Sequence, residues 1–116
     1  MMSINMDELN NIDYSDVATG ENLNPVSPGD ILLHDFMEPL SLSSNALARA
    51  MKVPTNRITG ILNGTRNITA DTALRLQAAF GVSASFWMGL QSRYNLEIAE
   101  AELAETIAAE VHRFAA

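Results

Sequence analysis

The sequence predicts an all-α domain of five or six helices built around a helix-turn-helix. Three observations lead there. Apolar residues from Ile31 onward recur at spacings of three and four, the period of a helix with one buried face. Good N-capping residues stand just ahead of these stretches, at Ser27, Ser44, Thr55, Thr69 and Ser83. No stretch alternates apolar and polar residues as a half-buried strand would, and no segment repeats.

Three regions follow in order. Residues 1–26 are rich in Asn, Asp and Ser, and their scattered apolar residues (Ile4, Met6, Leu9, Ile12, Tyr14, Val17) make no strong stripe. They are expected to form a mobile acidic segment, as chain ends commonly do; the functional alternative is a segment that folds on a basic partner. Residues 27–95 are expected to form the helix-turn-helix domain, and residues 96–116 a long amphipathic C-terminal helix.

The first helix begins at Ser27-Pro28-Gly29-Asp30. Ser27 caps, Pro28 fits the first helical position, and Asp30 suits the positive end of the dipole. Ile31, Leu32 and Phe36 supply its apolar face, and Pro39 ends it. His34 lies four residues after Asp30, so an exposed ion pair between them is expected rather than a catalytic role.

The central stretch is Ser43 to Gly64. Ser44 caps one helix, with Leu47, Ala48 and Met51 on its buried face, and Pro54 stops it by removing an N–H and forcing Val53 out of helical geometry. Ala48 is small where two helices would cross, and Val53 plugs the turn. Thr55 caps a second helix with Ile58, Ile61 and Leu62 inside, and Asn63-Gly64 ends it with residues that tolerate left-handed geometry. Lys52 stands where such turns commonly carry glycine, because φ is often positive there; a lysine at that geometry costs about 1 kcal/mol.

Beyond a loop at Thr65 to Ile68, Thr69 caps a helix through Phe80 with Gly81 after it. A fifth helix starts at Ser83 or Ala84 and runs to about Asn95, with Phe86, Trp87, Leu90 and Tyr94 as its large side chains. A last helix, about Leu96 to Phe114, carries Leu103, Ile107, Val111 and Phe114 on one stripe and five glutamates on its other faces.

Charge divides by region. The net charge of −7 looks wrong for a DNA-binding protein. Yet residues 1–26 hold five acidic and no basic side chains, and residues 96–116 hold five glutamates against Arg113. The middle region is mildly basic, and Arg49, Lys52, Arg57 and Arg66 cluster in and just after the bihelical motif, where phosphate contacts are needed. The absence of cysteine excludes disulfides and thiolate metal sites and fits a cytosolic protein. No run approaches the roughly 18 apolar residues of a membrane span, and the N-terminus lacks a signal-peptide layout. There is no metal-ligand spacing, no phosphate-cradling glycine loop and no Ser-His-Asp arrangement, so neither a catalytic centre nor a cofactor is expected.

The residues left over on the second motif helix are Thr55, Asn56, Arg57, Thr59, Gly60 and Asn63. They are short, polar and mostly uncharged, a set that suits reading base edges in a groove; Thr55, Asn56, Arg57, Thr59 and Gly60 are the candidate base-reading residues. Periodicity alone leaves a plain helical hairpin equally open.

The segments PGDILLHDFMEPL, SSNALARAMKVPTNRITGILNGTRNITADTALRLQAAFG and FWMGLQSRYNL together resemble HigA-type antitoxins of the XRE (lambda-repressor-like) helix-turn-helix superfamily. The resemblance runs from about Pro28 to Leu96. It implies a dimeric, cytoplasmic bacterial protein that neutralises a RelE-like mRNA-cleaving toxin and represses its own operon at a palindromic operator. It places Thr55, Asn56, Thr59 and Gly60 at or beside base-reading positions, and Ser44, Asn63 and Arg66 where the superfamily touches phosphates. Lys52, Thr65 and Ala84 depart from a common glycine, a common basic residue and a common proline. Two readings compete with the antitoxin: a stand-alone repressor, and a protein-interaction module without DNA binding.

One helix-turn-helix contacts few base pairs, so specificity calls for two, roughly 34 Å apart. The surplus of large apolar groups after residue 85 can fix that spacing. A two-fold homodimer interface is expected from Phe86, Trp87, Leu90, Tyr94, Leu103, Ile107 and Val111, extended by Phe114.

Overall fold

The computed structural model describes residues 25–114, and every regular element within them is helical. The acidic segment expected to be mobile lies, through Asn24, outside the described residues. Helix α1 (Pro28–Ile31) runs directly into a π-helical stretch (Leu32–Met37) and a 3-10 turn (Glu38–Leu40). Then come α2 (Ser44–Met51), α3 (Thr55–Leu62), α4 (Ala70–Phe80) and α5 (Ala84–Glu110).

Most ends form as their residues dictate. Ser27 Oγ accepts from the Asp30 N–H at 3.1 Å with Pro28 behind it, Thr69 caps α4 through the Thr72 N–H, and Ser83 caps α5 through Phe86. Gly64 and Gly81 take φ of 84° and 79° after α3 and α4. Lys52 does adopt the left-handed geometry expected of it, with φ 61°.

Two caps fall one residue earlier than expected. Ser43, not Ser44, caps α2, its Oγ accepting from the Ala46 N–H at 3.0 Å. The two serines are chemically equal, and only Ser43 is extended (ψ 162°). Before α3 the cap position belongs to Pro54, whose ring-fixed φ of −63° with ψ 147° supplies the extended entry, so Thr55 is the first helical residue.

The π stretch was not anticipated. It is bonded from residue i to i+5, the Glu38 N–H reaching Leu33 O, and Leu32, Leu33, Phe36 and Met37 pack in or against the core. His34 pairs with Glu38 at 3.0 Å and not with Asp30, because the Glu38 side chain leans back along the helix toward it. That hydrogen bond, reinforced by the carboxylate charge, raises the pKa of His34.

The core is a single cluster. Leu47, Ala48 and Met51 of α2 meet Ile58 and Ile61 of α3 and Ala73 and Leu76 of α4. An aromatic group closes it: the Phe36 ring lies 4.8 Å from Trp87 and 5.2 Å from Phe80, and Phe86 meets Trp87 edge-on at 5.2 Å. Trp87 is fully buried within its own chain, so its expected place in a dimer interface is corrected: this ring belongs to the monomer core. Leu90 likewise packs against that core, half-buried.

Glycine is required at one crossing. A Cβ on Gly29 would fall 2.3 Å from Ile61 O and 2.9 Å from Leu62 Cα, so α1 rests on the α3 backbone itself.

Of the five or six helices expected, the smaller number is found: the fifth and last are continuous through Asn95 and Leu96. No glycine or proline lies between Leu90 and Glu110, and the Asn95 amide oxygen accepts from Gln91 Nε2 at 3.0 Å inside the helix. Helix α5 therefore runs 27 residues and ends at Glu110, with Val111 extended, rather than at Phe114. Past residue 100 every described residue is exposed, including Leu103, Ile107, Val111 and Phe114. None of the described helices is long and apolar enough to cross a membrane.

Gly29→Ala is expected to destabilise the fold by about 1–3 kcal/mol, since the new methyl meets backbone that cannot rotate aside. Urea denaturation of the two proteins measures the difference; equal midpoints would show that α1 and α3 can separate at no cost.

Candidate nucleic-acid interface

The geometry of α3 starts with the turn before it. The N–H of Lys52 bonds to Arg49 O at 3.2 Å and that of Val53 to Ala48 O at 3.0 Å, which closes α2 and reverses the chain. Val53 then packs on the core, and Ala48, 2 % exposed, allows α2 and α3 to approach. Ile58 and Ile61 turn inward. By helical spacing, Asn56, Thr59 and Asn63 share the opposite face, and all three are exposed. Thr55 is half-buried at its edge. This is a helix-turn-helix whose second helix presents amide and hydroxyl groups on its exposed face.

Gly60 does not belong to that face. It is buried, and a Cβ there would lie 3.0 Å from Arg66 Cβ and 3.4 Å from Arg66 Nε. Its expected base-reading place is corrected: Gly60 is the seat across which Arg66 lies. Its carbonyl accepts from the Thr65 N–H at 2.9 Å and the Arg66 N–H at 3.0 Å, folding the loop back onto α3. Asn63 Oδ1 accepts from the Thr65 N–H at 3.1 Å and the Thr65 hydroxyl at 2.7 Å, which leaves its Nδ2 as the donor a phosphate could use. Asn63, Thr65 and Arg66 thus form one unit at the end of α3, with Arg66 exposed. Ser44 stands apart from them, half-buried at the first position of α2.

Arg57 is turned sideways. Its Nη1 donates to Asp71 Oδ2 in the first turn of α4, and Asp71 also accepts from Arg75 Nε at 3.1 Å. Arg75 Nη1 donates to Met51 O, the end of α2, at 2.8 Å. One carboxylate and two guanidiniums therefore join α2, α3 and α4. The hydrogen bond from Arg57, then that from Arg75, holds the Asp71 carboxyl below its ordinary pKa. Among the described residues, no group of three or more carboxylates and histidines gathers as a metal site would require.

A helix-turn-helix family profile matches residues 33–87. Virulence-associated protein I of Dichelobacter nodosus is 44% identical over 85 residues, covering 72% of this chain and 79% of its own length. Antitoxin HigA-1 of Vibrio cholerae is 40% identical over 72 residues, 62% of this chain and 68% of its own. The solved structure of Pseudomonas aeruginosa antitoxin HigA with the higBA promoter superposes with a TM-score of 0.76 at 41% identity, over 78% of this chain and 99% of that one.

The chain belongs to the HigA-type antitoxin family of helix-turn-helix proteins.

Within the HigA-type frame, Asp71, Arg75 and Gln91 are the residues the sequence did not single out as part of the interface. Gln91 is 6 % exposed, and its Oε1 accepts from the Ile68 N–H at 2.7 Å, which pins the loop carrying Arg66 to α5. A glutamine on the buried face of a helix was the available signal, since an amide there must find partners. Asp71 and Arg75 stand at i and i+4, a pair whose spacing is visible but whose reach to Arg57 and Met51 is not.

Arg57→Ala is expected to move the Asp71 titration upward toward the ordinary 3.8, part of the way, because Arg75 remains. Carboxyl NMR titration reads this directly. A pKa depressed by folding contributes stability above the unfolded value and loses it on acidification through the folded value. The stability gap between wild type and variant should therefore narrow as pH falls below 3.8, and an unmoved Asp71 midpoint would break the assignment.

Proposed function

We propose that this HigA-type protein is a cytoplasmic antitoxin that represses its own operon, binding a palindromic operator as a homodimer and neutralising a RelE-like mRNA-cleaving toxin. The observation that carries the DNA reading is the exposed face of α3, where Asn56 and Thr59 stand beside Arg57 and next to the Asn63–Arg66 unit. The face fits a major groove: amide and hydroxyl groups meet base edges, and flanking donors meet phosphates. The similarity to P. aeruginosa HigA, a structure with the higBA promoter, supports the same use of the fold here. Helix α3 itself carries no acidic residue. Past residue 95 the only acidic residues are Glu97, Glu100, Glu102, Glu105 and Glu110, all carried on α5.

Asn56→Ala is expected to weaken operator binding by about 1–3 kcal/mol with little change on random duplex, as loss of a bidentate base contact would. Arg66→Ala should weaken both alike and flatten the salt slope by about one unit. Titrations of operator and random duplexes across a salt series separate them. Equal losses for Asn56→Ala on both duplexes would remove it from the base-reading set.

The homodimer is proposed on α5. Leu103 and Ile107 are 46 % and 49 % exposed with no other described residue packed over them, and Phe86 is partly exposed nearer the domain. Leu103→Glu with Ile107→Glu is expected to give a helical monomer that has lost operator binding. Light scattering decides: a variant that stays dimeric places the interface elsewhere. Toxin neutralisation is tested separately, by whether co-expression of this chain restores growth to cells expressing the adjacent open reading frame.

A further inference from the structure

A carboxylate beside the DNA-facing helix calls for an explanation. The Asp71 side chain is 54 % exposed, so it is not there to fill the core. Next to a polyanion, a bare carboxylate lowers affinity. Here it accepts from Arg57 on α3 and, through both oxygens at 3.1 and 3.2 Å, from Arg75, whose Nη1 is anchored on Met51 O. The carboxylate is thus held through both oxygens by a fixed arginine and shares Oδ2 with Arg57.

An unrestrained arginine at the third position of α3 would pair with any phosphate in reach, adding affinity without discrimination. Tethered in the same molecule, the Asp71 carboxylate competes with passing phosphates at high effective concentration. An exposed ion pair is nevertheless weak. It yields to an acceptor pair held in front of the guanidinium by the docked helix, as the O6 and N7 atoms of guanine are in the groove, and not to a phosphate met in passing.

We propose that Asp71 is a positioning residue for DNA reading, holding Arg57 against the first turn of α4 so that Arg57 engages DNA when a base edge is presented and not at every phosphate. The inference rests on α3 being the DNA-reading helix, as proposed above. No bond is made or broken beyond the exchange of one ion pair for a base contact, and Arg75 keeps Asp71 compensated after Arg57 leaves.

The test uses the full chain in four forms: wild type, Asp71→Asn, Arg57→Ala and the double variant. Each is titrated with operator and random duplex of equal length over a salt series. Asp71→Asn is expected to tighten random-duplex binding about fivefold and to steepen its salt slope by about one unit per recognition helix, while operator affinity changes less than about twofold. In the Arg57→Ala background the same substitution should leave the ratio of the two affinities unchanged. Equal shifts on both duplexes, or an undiminished effect without Arg57, would reduce Asp71 to a bulk charge and overturn the inference. Failure of the wild type itself to prefer its operator would instead overturn the DNA reading beneath it. Arginine Nε–H NMR of the wild type gives the answer without a substitution: the Arg57 signal should shift with operator and hold with random duplex. A shift with both would also defeat the proposal.

Discussion

Helix α3 has eight residues, fewer than a helix needs to persist alone in water, so its position depends on what it rests against. It rests against Gly29. The absent side chain there lets α1 meet the backbone of Ile61 and Leu62 rather than their side chains, and backbone does not change rotamer. The contact sets the depth of α3 on the domain, and with it the height of Asn56 and Thr59. Ile58 and Ile61, both buried, hold the helix from its inner side. Ala48 admits α2, the Gly60 carbonyl draws in the Arg66 loop, and Gln91 fastens that loop to α5.

Part of the candidate interface is held in place before any ligand arrives, while Asn56 and Thr59 stand free on its exposed face. Asn63 is oriented by Thr65, and the backbone of the Arg66 loop by the Gly60 carbonyl. Side chains held this way lose little freedom on association, which favours affinity without added contact area. The price is a set of small dependencies, in which a residue that touches no ligand decides where its neighbour points.

The helices were legible because caps and periodicity are local properties. Ser27, Thr69, Ser83, Gly64 and Gly81 each act as their chemistry dictates. Lys52 was legible too, since the turn needed a positive φ whatever residue filled it. What failed was decided by competition or by distance. Ser43 and Ser44 are equal as caps until the chain direction chooses. The π stretch carries Phe36, whose partners Phe80 and Trp87 lie on α4 and α5, contacts that no local pattern reveals. Trp87 looked available for a partner because its burial depends on Phe36, some fifty residues earlier. Gly60 looked groove-facing because spacing along a helix does not reveal a loop that folds back over it. The lateral hold on Arg57 was invisible for the same reason.

The unbroken run of α5 has a consequence for how this chain can vary. At about 1.5 Å and 100° per residue, its 27 residues link Trp87, in the core, rigidly to Ile107, roughly 30 Å away. Substitutions on the exposed stretch leave that linkage alone. A one-codon insertion or deletion between Leu96 and Leu103 does not: it swings the whole distal stripe by about a quarter turn relative to α3. Lineages carrying this architecture should therefore vary on the glutamate faces of the outer half of α5, while Leu103 and Ile107 stay apolar and the length stays in phase, much as the teeth of a gear may wear but not change in number.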